Sequence, residues 1–152
     1  MSGTGGGYTV PRTADRVTLR GSITVPDTDA GAFADTGLSV TLPEAGTWKV
    51  TAEVRGQIDG PGPGGGGLRV RLFNVTAGVQ LPYSIRTIVT VTEPATGDFA
   101  ATACGPASDL VVVTGPTVIR LEASKSATGT ATTVRVGTGP SGWTSLAYER
   151  IA

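Results

Sequence analysis

The sequence predicts an all-β domain, an antiparallel β-sandwich, from three observations. Apolar residues recur with a period of two, and over no long window at the i, i+3, i+4, i+7 spacing of an amphipathic helix. Thr and Val are abundant, and both suit a pleated, half-buried surface. Gly and Pro, 23 and 10 of the 152 residues, break the chain into short runs at regular spacing, the pattern of a sandwich or barrel. A parallel sheet needs crossover helices, for which this chain has no room.

The elements follow in order. Val17, Leu19, Ile23 and Val25 alternate with polar neighbours, with Gly21 as a bulge. Leu38, Val40 and Leu42 form the next run, and "PEAG" turns the chain into Trp48, Val50, Ala52 and Val54. "DGPGPGGGG", residues 59–67, reads as a surface connection with no side chains to bury. Leu68, Val70 and Leu72 follow, with Arg69 and Arg71 on the opposite face. An extended stretch runs from Val79 to Thr92, interrupted by Pro82, and Ala100–Cys104 is a short candidate. Leu110–Thr114 and Val118–Ala123 flank a Gly-Pro turn. Thr132–Val136 and Trp143–Ile151 complete nine or ten strands. The last is expected in the middle of a sheet. Leu146 and Tyr148 occupy one face, and Trp143, Ala147 and Ile151 the other, so one face meets the core and the other a partner surface. Residues 1–15 read as a Gly-rich arm and 16–152 as the folded domain.

Composition narrows the function. Lys plus Arg equals Asp plus Glu at 12 each, so no basic excess draws in nucleic acid or anionic lipid. Charged residues are 16%, below the roughly 25% of ordinary domains, and such a surface favours association. The sequence has no secretion signal at its start and no apolar run long enough to cross a bilayer, pointing to a protein made in the cytoplasm. Cys104 is the only cysteine, so no internal disulfide forms, and it is expected as a small buried residue.

With no histidine, Ser-His-Asp and Cys-His catalysis and the usual zinc sites are out. The Glu residues scatter among strands, and no glycosidase pair can be assigned. "GTGPSG", residues 137–142, matches G-x-G-x-x-G, but Trp143 opens a strand where a dinucleotide site needs a helix. "NVT", residues 74–76, fits a glycosylation sequon by chance. Asp27, Asp29 and Asp35 are close enough in sequence to suggest Ca²⁺. The twelfth-position Glu of an EF-hand loop is Leu38, however, and an Asp-capped turn is the simpler reading. No metal or cofactor is expected, and no enzymatic activity.

Three segments resemble the C1q/TNF-like jelly roll. "TGLSVTLPEAGTWKVTAEV" resembles its early signature, with Pro43 ending one strand and Gly46 and Trp48 opening the next. "LVVVTGPTVIRLEAS" is similar to its paired late strands, with Pro116 where the family often has Asp. "SGWTSLAYERI" is similar to its closing strand. The resemblance spans Val17 to Ile151. It implies two five-stranded antiparallel sheets, a last strand central and beside the first, and a homotrimer in which Trp48, Trp143, Leu146, Tyr148 and Ile151 serve the core strand and trimer contact. Such heads occur on bacteriophage particles. The expectation is therefore a virion structural protein, a capsid decoration head that binds neighbouring capsid subunits, with the Gly-rich arm lying along the shell. The alternative is a tail-fibre or baseplate head that binds host surface glycan.

Overall fold

The computed structural model describes residues 13–26, 32–126, 129–138 and 142–152. They form nine strands and no helix: β1 (Ala14–Thr18), β2 (Ile23–Thr24), β3 (Ala34–Leu42), β4 (Gly46–Asn74), β5 (Val79–Gln80), β6 (Arg86–Val113), β7 (Thr117–Lys125), β8 (Thr133–Gly137) and β9 (Ser145–Arg150). All pairings are antiparallel. β1 begins at Ala14, two residues inside the segment read as an arm; residues 1–12 lie outside the described part.

The main organising element is a ribbon. β4 and β6, of 29 and 28 residues, pair from Gly46↔Val113 to Val70↔Arg86. This ribbon is doubled over. Twelve extended residues span roughly 40 Å, yet a methyl group built on Gly56 would stand 2.6 Å from Leu68 Cδ2, and one on Gly66 would stand 3.6 Å from Ile58 Cγ2. Residues 56 and 68, and 58 and 66, therefore face each other about a fold at Gly62. On β6 a methyl at Gly105 would meet Ile88 Cδ1 at 3.6 Å, which centres the matching fold near Gly97, the register partner of Gly62. The ladder shifts register between Gly62 and Gly64, as a strand does where it bends.

The Gly-rich stretch is thus part of β4 and not a surface connection, which corrects the sequence reading. A side chain at Gly62 would overlap the Ala95 carbonyl oxygen, and one at Gly65 the Val91 carbonyl oxygen. Here glycine is required for close backbone approach rather than for flexibility. The Gly65 carbonyl also accepts from the Thr130 and Ala131 N–H groups at 2.8 and 3.2 Å, so the fold is tied to the chain entering β8.

Doubling the ribbon makes two layers around one core. The first runs β1, β9, the first half of β4, then the second half of β6; β8 continues the line of β9 along β4 and pairs with β2. The second runs β3, β7, the second half of β4, then the first half of β6, with β5 against the end of β4. Each layer is four strands wide among the described residues, where the resemblance implied five, because β4 and β6 serve both. The last strand sits between β1 and β4, as the sequence predicted.

The alternating residues fill the interior. Leu42, Trp48, Val50, Ala52, Leu68, Val70, Leu72, Ile119, Leu121 and Leu146 are fully buried, each large aliphatic contributing roughly 1.5–3 kcal/mol by leaving water. Trp48 meets Tyr148 edge to face at 5.5 Å and donates its indole N–H to the Glu44 carbonyl at 3.1 Å.

Candidate functional site: three outward surfaces

The parity of β4 decides what the first layer shows to solvent. Thr47 exchanges backbone hydrogen bonds with Ile151 and Ala152, so odd residues of β4 turn their polar backbone toward β9 and even residues toward β6. It follows that Ser108, Leu110 and Val112, partners of Thr51, Lys49 and Thr47, turn their backbone groups away from β4, and among the described residues no other strand pairs with β6. This free edge is partly blunted, as edges commonly are. Pro106 has no N–H, and Asp109 accepts from the Leu110 and Tyr83 N–H groups at 2.8 and 2.9 Å.

The side chains beside this edge are not blunted. Leu110 is 57% exposed, Val112 76% and Ile151 53%. Val112 pairs with Thr47, whose carbonyl accepts from Ile151. The three therefore form one apolar corner on the outer face of the first layer. Cys104, expected to be buried, is exposed on the same face, because even positions in the second half of β6 point outward.

The other end of that face carries Trp143. Leu146, Tyr148 and Trp48 lie in the core, but Trp143 and Ile151 flank β9 rather than belonging to it, and both are exposed. The ladder with β4 ends there, at Glu53↔Ser145, because the Thr144 side chain takes the place of a backbone partner for Arg55. The buried Thr144 hydroxyl donates to the Gly137 carbonyl at 2.6 Å and accepts from the Arg55 N–H at 3.0 Å. With Arg16, Val17, Thr18, Leu19 and Arg20, Trp143 lines a depression of about 570 Å³. Arg16 also lines a second depression, of about 500 Å³, with Lys49, Thr51, Ala147 and Glu149.

The third surface is the outer face of the second layer. Glu122 is only 2% exposed there. Arg71 approaches it from β4, its Nε and Nη2 both 2.7 Å from Oε1. Arg120, two residues along β7, reaches Oε2 with Nε at 2.7 Å and Nη2 at 2.5 Å. The Arg71 guanidinium lies 4.3 Å from the Phe33 ring centre and 5.0 Å from that of Phe73, and Arg120 lies 5.1 Å from Phe73. Of the two arginines read as an outward face, Arg71 is thus locked by a carboxylate and by aromatic rings, while Arg69 lies over the Phe33 ring at 5.6 Å. Sequence reasoning passed over Glu122, because its partner Arg71 lies 51 residues away. Glu122→Ala should lower stability by about 3 kcal/mol, since it leaves two guanidinium groups facing each other. A urea titration checks this: the midpoint should fall with the slope unchanged.

The remaining motifs are structural. Asp35 accepts from the Gly37 N–H at 2.7 Å and so holds a turn; Asp27 and Asp29 lie outside the described residues. Among the described residues, no group of three His, Cys, Asp or Glu side chains is placed to share a metal ion. Asn74 of the sequon is buried and caps its own turn by accepting from Ala77 N–H at 2.9 Å. No helix follows Gly142, and no helix of the described residues is long and apolar enough to cross a membrane.

No family model matches the chain, and no curated protein does. Among solved structures it is similar to a chain of infectious bursal disease virus, Gx strain, with 16% identity over 91% of this chain and 36% of that one and a TM-score of 0.42. It is also similar to the VP2 subviral particle of that virus, with 18% identity, 91% and 37% coverage and a TM-score of 0.43. A third likeness is to a carbohydrate-binding module of Cellvibrio mixtus lichenase 5A in complex with cellotriose, with 17% identity, 89% and 88% coverage and a TM-score of 0.32. The chain spans about a third of the length of the viral chains it matches.

Proposed function

We propose that this protein is a non-enzymatic structural component of a bacteriophage virion, a homotrimeric head that decorates the capsid by binding neighbouring capsid subunits. The observation that supports this reading is the apolar corner of Leu110, Val112 and Ile151 beside the free edge of β6. Large aliphatic side chains gathered at one place on a chain of zero formal net charge favour burial against a partner. The resemblance to C1q/TNF-like heads supplies the threefold symmetry and the particle setting. Saturable binding of the purified protein to undecorated capsids is the expected result, and its absence would defeat the reading. Light scattering at micromolar concentration should give three chain masses for the wild type and one for the Leu110→Lys, Val112→Lys double variant. A wild-type monomer would argue against the trimer.

A second reading, a tail-fibre or baseplate head that binds host surface glycan, is favoured by one observation. Trp143 is 59% exposed and lines a depression with two arginines. Binding to cell-wall polysaccharide but not to capsids would select it.

A further inference from the structure

The pairing of β1 with β9 sets a row of complementary groups along the outer face of the first layer. Arg16 pairs with Ala147 and Thr18 with Ser145. The ladder continues as the Leu19 N–H donates to the Thr144 carbonyl at 2.8 Å, which brings Arg20 to the level of Trp143. The depression beside Trp143 has the indole, Thr18 and the two arginines on its walls. The adjoining one, reached past Arg16, adds Lys49, Thr51 and Glu149.

We infer that this face is a binding site for an acidic saccharide. The inference rests on the glycan-binding reading and names its ligand class. A pyranose presents an apolar C–H face that packs on an indole, and its carboxylate matches the bidentate fork of Arg16 or Arg20. Its hydroxyls need both donors and acceptors, and the rim offers both in Thr18, Thr51, Lys49 and Glu149. Acidic side chains on this face discriminate against ligands more densely charged than a saccharide with one carboxylate per sugar. Glu149, and Glu53 opposite Ser145, would repel a polyphosphate. Two arginines on a chain of zero formal net charge cannot follow a nucleic-acid backbone.

The two tryptophans make the site readable in solution. Trp48 is fully buried and Trp143 exposed, so ligand at the depression changes the emission of Trp143 alone. The test titrates the full chain with oligogalacturonate and oligosialate, and with methyl-esterified oligogalacturonate, which keeps the sugar and removes the charge. At least one acid should give a saturable change in emission, with affinity at least tenfold above the esterified form. Trp143→Phe should abolish that change and weaken binding by calorimetry at unchanged thermal stability. Arg16→Gln with Arg20→Gln should erase the preference for the acid and provides an independent check if the tryptophan variant does not fold. Equal affinity for acid and ester would overturn the acidic assignment while leaving the glycan-binding reading intact. Tripolyphosphate binding as tightly as the acids would overturn it as well. Failure of every saccharide to bind overturns both.

Discussion

A chain lacking Trp143–Ala152 should not yield soluble, cooperatively folded protein. β9 pairs with β1 on one side and β4 on the other, so its loss unpairs two strands at once. It also removes Leu146 and Tyr148 from the interior and the edge-to-face partner of Trp48. At roughly 1.5–3 kcal/mol for each large apolar group, with the backbone pairing added, the loss rivals the roughly 5–15 kcal/mol that holds a domain folded. Circular dichroism melting and solubility after expression decide the matter. A truncated chain that melts in one sharp transition would show the segment to be peripheral.

The second large effect is expected at the fold of the ribbon. A methyl group at Gly65 would overlap the Val91 carbonyl oxygen, and Val91 C would lie 2.9 Å away. The obstacle is backbone, which cannot rotate aside as a side-chain end can. Gly65→Ala should therefore cost about 3 kcal/mol, the upper part of the usual range for overpacking, and lower the melting temperature by roughly 10 °C. Gly21→Ala and Gly115→Ala serve as controls. A methyl group at either meets nothing within 4 Å, and neither change should move stability by more than about 0.5 kcal/mol. Equal melting temperatures for all three variants would mean that the ribbon is not folded tightly at Gly62.

These glycines also mark where the sequence was misleading. A run of Gly and Pro suggests a connection, because such residues bury little and permit many conformations. The atoms that forbid side chains there belong to Val91, Ala95 and Thr130, roughly thirty to sixty-five residues away, and no local pattern reveals them. The strands themselves were legible, since the period of two sorts Leu38, Val40 and Leu42, or Trp48, Val50 and Ala52, onto the core side without reference to any partner. The central place of the last strand was legible for the same reason: neither face of Thr144–Tyr148 is fully polar. The outward place of Trp143 and Ile151 was legible too, since both fall on the face opposite Leu146 and Tyr148; what the pattern missed is that β9 runs only from Ser145 to Arg150 and leaves both just beyond its ends. Of the three surfaces, the Arg71–Glu122–Arg120 cluster was hidden by sequence distance, and the apolar corner by the parity of β6.

The position of β9 also has a consequence for timing. Its hydrogen-bonding neighbour β1 leaves the ribosome about 130 residues earlier, so β1 lacks its partner strand, and the early half of β4 lacks one of its two, β6 being already made, until synthesis reaches the last strand. Domains often mature as they emerge; this one must wait until Arg150 is clear of the exit tunnel. With pairings so distant along the chain, acquisition of the native state belongs on the millisecond-to-second scale of all-β proteins rather than the microseconds of helical bundles.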